Sequence, residues 1–130
     1  MKGYTSTVRE VSKEISVKEK IMLKDTSNAI SIDALTQEAS FNNEKVLIDV
    51  DYYAILDIHN EKSDNKDYIN FIIVDKSGNQ SVTGSESFIT TFTDIYEEMK
   101  GAGEENITIE IYRKESKNYK GKDFITCSIV

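Results

Sequence analysis

Five cations and three aromatic rings crowd into the stretch from Tyr112 to Phe124 of this 130-residue chain. Arg113, Lys114, Lys117, Lys120 and Lys122 stand against Glu115 and Asp123, a local charge of +3 in a chain that carries −7. Tyr112, Tyr119 and Phe124 lie among them. Cations neutralise phosphates and flat rings stack bases, which is the equipment of sequence-tolerant recognition of a single nucleic-acid strand. No bond need be made or broken. The same letters also read as a solvated hairpin that guards its own edge with lysines.

Residues for covalent chemistry are scarce. His59 is the one histidine and Cys127 the one cysteine, so neither a triad with histidine nor a Cys/His zinc site can be assembled. Gly84-Ser85-Glu86-Ser87 lacks the second glycine of a nucleophile elbow, and no glycine-rich phosphate loop is spelled anywhere. Ser63 and Lys66 match S-x-x-K by spelling but sit in a polar loop. Asp64, Asp67 and Asp75 lack EF-hand spacing and read as solvated loop acids. Asp49 and Asp51 share one strand face and would repel phosphate there. The chain is therefore expected not to be an enzyme and to need no metal or cofactor.

Charge is distributed unevenly. Residues 1–24 hold six cations against three carboxylates, and residues 25–111 hold eighteen carboxylates against five lysines, a charge of −13. A field of that sign repels polyanions, so any contact with nucleic acid must be local, at the two basic ends. With 30% charged and 38% hydrophobic residues the chain is globular. No apolar run approaches the roughly 18 residues of a membrane span, and no secretory signal follows Met1. A lone cysteine in an apolar strand pattern fits a buried thiol in a reducing compartment, and a cytoplasmic location is expected.

The elements that must position the basic stretch follow from periodicity. Residues 1–29 are expected to form an N-terminal extension, in part helical or a free arm. Thr7 with Glu10, and Ser16 with Glu19, both spell a capping box. Residues 30–39 suit a short helix with Ser31 as N-cap, or a strand entering it at residues 29–32. From Lys45 alternation predicts a long strand bending near Tyr53, a polar loop over residues 59–66, a strand over residues 68–74, a turn at Gly78 and a short returning strand. Phe88, Phe92, Ile95 and Met99 mark a helix stripe from Ser85. Ile107, Ile109 and Ile111, then Ile125, Cys127 and Ile129, mark two half-buried strands around the basic loop.

The order β-β-β-α-β-β is that of a five-stranded OB-fold barrel, mainly β, occupying residues 30–130 as one domain. The loops joining strands 1–2 and 4–5 of that barrel bind oligonucleotides or oligosaccharides. The second of those is the basic loop. With the isoleucines facing inward, Tyr112, Phe124, Thr108 and Thr126 share the outer face. Tyr53 and Tyr68 are further stacking candidates whose face depends on the bend.

Three stretches, residues 46–53, residues 75–79 with 82–88, and residue 112 onward, resemble single-stranded DNA-binding proteins of phages and conjugative elements of Gram-positive bacteria. The resemblance covers residues 30–130. It implies an OB-fold that protects or organises single-stranded DNA in replication, recombination or transfer of a phage or mobile element within a bacterial host. RNA is not distinguished from DNA, and a homodimer or higher homo-oligomer is compatible with it. One departure stands out. Cellular proteins of this function end in an acidic tail that recruits partners, whereas this sequence ends in the strand pattern at Val130, so tail-mediated recruitment is not expected. The competing reading is an acidic protein-binding module, a DNA mimic or adaptor, carried by the −13 middle. An oligosaccharide-binding OB domain would not need five cations.

Overall fold

A single 15-residue strand, β3 (Val46–Asn60), is the longest strand of the computed structural model, which describes residues 3–25, 29–115 and 123–130. The chain divides into two compact units, Met1–Ile30 with Asp51–Gly84, and Ser31–Val50 with Ser85–Val130. Strand β3 contributes residues 51–60 to the first unit and residues 46–50 to the second. Among the described residues there are seven strands and three helices, a mainly β protein. No helix among them is long and apolar enough to cross a membrane.

The first unit begins with β1 (Tyr4–Val11), which pairs antiparallel with β3 from Tyr4 opposite Asn60 to Val11 opposite Ala54. Part of the expected arm is thus a strand. The Thr7–Glu10 box is a coincidence of spelling, because β-branched Thr5, Thr7, Val8 and Val11 favour extended backbone once a partner strand is present. The second box is real. In α1 (Val17–Lys24) the Glu19 amide donates to Ser16 Oγ and the Ser16 amide donates to Glu19 Oε1, both at 3.1 Å.

Strands β4 (Asp67–Asp75) and β5 (Gln80–Thr83) complete this unit, antiparallel, in the order β5-β4-β3. Their turn is set by Asp75, whose Oδ1 accepts the Ser77 and Asn79 amides at 2.9 Å, and by Gly78 at φ +89°, a conformation glycine adopts without strain. Tyr52, Ala54, Leu56 and Ile58 point one way along β3 and pack with Leu23, Ile72 and Val74. Tyr4, Val8, Val11 and Tyr68 close over that cluster.

The second unit holds α2 (Ile32–Asn42), reached through the two-residue strand β2 (Ile30–Ser31). Both options at this point of the sequence are realised, since Ser31 ends the strand and caps the helix by accepting the Ala34 amide. Helix α3 (Glu86–Gly101) starts at the Ser85 cap and packs against β7 (Asp123–Ile129), while α2 packs against β6 (Ile107–Glu115). Its buried stripe is Phe88, Phe92 and Tyr96, with rings stacked at 5.8 and 6.0 Å between centroids, and Ile95 and Met99 flank it half-buried. Strand order here is β3-β6-β7, all antiparallel. From Val46 onward the elements run β3, β4, β5, α3, β6, β7.

Candidate nucleic-acid interface

The β6–β7 hairpin carries the expected site, and its register sorts the candidates onto two faces. Ile109 lies opposite Ile129, Ile111 opposite Cys127 and Arg113 opposite Ile125. Opposed residues share a face; Ile109, Ile111, Ile125 and Cys127 make this the buried side, while Ile129, expected to face inward, is 44% exposed at the end of the strand. The other side pairs Glu110 with Ser128, Tyr112 with Thr126 and Lys114 with Phe124.

Lys114 and Phe124 therefore stand side by side at the base of the loop. Lys114 is exposed and forms no ion pair among the described residues, and Phe124 is 36% exposed. Tyr112 shares their face, one pair further down. Its hydroxyl hydrogen-bonds Ser128 Oγ at 2.7 Å, which draws its tip away from Phe124 and leaves the ring half-buried.

Arg113 is placed differently from the expectation that it neutralises phosphate. Its parity puts it on the inner face, and its side chain is only 19% exposed. Nε donates to Thr36 Oγ1 at 3.1 Å, Nη1 to Asp123 Oδ1 at 3.0 Å, and Nη2 to the Asp33 carbonyl and carboxylate at 3.4 Å. The guanidinium ties α2 to the hairpin. Lys117, Tyr119, Lys120 and Lys122 lie outside the described residues.

The two remaining stacking candidates are inward. Tyr53 is 6% exposed and its ring lies on Phe71, 5.2 Å between centroids, where no base reaches it. Its amide donates to Ser12 Oγ at 2.9 Å and its carbonyl accepts the Ser12 amide. Tyr68 is half-buried against the first unit's core. The physical reason for Tyr53 is that mid-β3 is covered on both faces, whereas Tyr68, at the start of β4, is held by packing against the core cluster.

The polar turn after β3 is braced by His59 near the end of that strand. His59 Nδ1 meets Asp67 Oδ1 at 2.7 Å and Nε2 meets Glu61 Oε1 at 2.6 Å. These hydrogen bonds raise the imidazole above its ordinary value, Asp67 contributing most, and the same contact lowers Glu61. Lys66 adds an ion pair to Glu61 at 3.4 Å. In the second unit Cys127 is buried, and burial pushes its thiol up to about 12.

Among the described residues no group of three His, Cys, Asp or Glu side chains is placed to hold a metal ion. No protein-family model matches the chain, and neither a curated protein nor a solved structure matches it.

Proposed function

We propose that this protein is a non-enzymatic, sequence-tolerant binder of single-stranded DNA on an OB-type barrel, protecting or organising the strand during replication, recombination or transfer of a phage or mobile element in the host cytoplasm. The observation that carries the reading is the juxtaposition of Lys114 with the open ring of Phe124 at the base of a loop rich in lysine. A phosphate can meet the ammonium while its base lies on the phenyl face. The element order from Val46, three strands, a helix and two strands, supports the barrel assignment.

The test is fluorescence anisotropy with labelled oligo-dT of about 30 nucleotides, enough for several OB-type sites, at two salt concentrations with duplex DNA as competitor. The expected result is salt-sensitive binding that duplex does not displace, with a slope of about −0.7 per phosphate contacted. Oligo-rU in place of oligo-dT decides between DNA and RNA. Absence of binding at low salt overturns the reading.

A second reading has its own observation. Asp94, Glu97, Glu98, Glu104 and Glu105 are all exposed, along the second half of α3 and just beyond it. A surface of that sign suits a basic protein, and capture of such a protein with no affinity for oligo-dT would favour it.

A further inference from the structure

The basic N-terminal end has a structure of its own in the first unit. Helix α1 packs on β1, and a groove of about 310 Å³ runs between residues 7–11 and the side chains of Lys20 and Lys24. These two lysines are one helical turn apart, on the same side of α1. Both are exposed, and neither forms an ion pair among the described residues. Arg9 also lines the groove, but its guanidinium is already held by the Asp57 carboxylate through Nε and Nη2. Glu10 is the one carboxylate in the lining.

We infer that this groove is a second phosphate-binding track, in which Lys20 and Lys24 take successive phosphodiesters of the single strand. The inference rests on the single-strand reading proposed above. Three arguments carry it. In a chain of −7, cations already neutralised by the protein, as Arg9 and Arg113 are, offer nothing to a polyanion, whereas Lys20 and Lys24 have no carboxylate to displace among the described residues. They flank a concave surface with Val8 and Val11 in its wall, and a low-dielectric wall concentrates the field of the cations. No aromatic ring lines the groove, so it offers contacts to the backbone and none that stack a base. The groove supplies affinity and salt dependence without sequence preference, complementing the ring-bearing hairpin.

The test uses the full chain and oligo-dT of about 30 nucleotides. Lys20→Glu with Lys24→Glu is expected to reduce the steepness of the salt dependence by about 1.4, two contacts at about 0.7 each, and Lys20→Arg with Lys24→Arg to leave it unchanged. Acetylation of the wild-type lysines gives a readout independent of any variant's folding. Lys20 and Lys24 are expected to be protected by oligo-dT and not by an uncharged abasic analogue. Wild-type salt dependence in the charge-reversed variant, or unprotected Lys20 and Lys24 on a protein that binds oligo-dT, overturns the groove and leaves the single-strand reading standing. A wild-type chain that does not bind oligo-dT removes both.

Discussion

Arg113 Nη1 lies 3.0 Å from Asp123 Oδ1 across the two strands at the base of the basic hairpin. The same guanidinium reaches back to Asp33 and Thr36 of α2. Arg113 of the basic stretch is thus a fastener. Asp33 and Asp123 are half exposed or more, so solvent screens these pairs and the contribution is modest. Arg113→Ala is expected to cost about 1–2 kcal/mol of stability. Affinity for oligo-dT and its salt slope should match wild type. Denaturant titration and anisotropy on one preparation check both halves, and a lowered salt slope would return Arg113 to the binding surface.

Phe124 and Tyr53 are expected to respond in opposite ways. Phe124→Ala should weaken oligo-dT binding by roughly 1–3 kcal/mol, the range for a stacked base, with little change in melting temperature, because the ring is already 36% exposed. Tyr53→Ala removes a buried ring from its stack on Phe71 and should cost about 3–5 kcal/mol of stability. If Phe124→Ala binds as wild type, the Lys114–Phe124 pair is only packing.

Much of this was legible in the letters where the signal is local. The serine caps at Ser16, Ser31 and Ser85 each use a hydroxyl and an amide three residues on, within reach of sequence spacing. The isoleucine alternation of β6 gave correct faces, and by its own parity it already turned Arg113 inward. That Asp33 and Thr36 wait there depends on α2 packing against β6, some 80 residues away in the chain, which no local pattern encodes. Strand β1 is hidden in the sequence for a related reason. Its inner face reads Tyr4, Ser6, Val8, and the hydroxyl of Ser6 breaks the apolar alternation, while its partner strand lies about 50 residues on. Tyr53 follows Tyr52 in a stretch buried on both faces, where alternation carries no information.

Cys127 should be silent in the native state. Its thiol is buried and raised to about 12 by burial, so almost no thiolate is present at neutral pH. A disulfide reagent such as Ellman's is expected to react at the rate of unfolding, and immediately in denaturant. Fast native labelling would mean that β7 opens readily from α3.

The His59 bracket predicts a pH dependence with a definite sign. Asp67 and Glu61 raise His59 above its ordinary 6.5, so the stabilisation from its protonated form is complete below that value and fades as pH climbs through the raised folded value. Glu61 moves the other way. Lowered beneath its ordinary 4.5, it contributes above that pH and loses its contribution as pH falls through the folded value. The bracket is therefore strongest between about 4.5 and 6.5 and weakens on both sides. All three side chains are substantially exposed, so screening keeps the effect small. The readout is a difference. Wild type and His59→Gln should be furthest apart in melting temperature near pH 5.5, inside that window, and converge as pH climbs through the raised folded value of His59. The turn itself is expected to track the bracket, because the Glu61 amide donates to the Gly3 carbonyl at 2.7 Å and joins the turn to the start of β1. Hydrogen exchange at the Glu61 amide should accelerate on raising the pH by more than the intrinsic rate alone requires. A gap between wild type and His59→Gln that stays constant as pH climbs through that raised value would show that the bracket does not titrate.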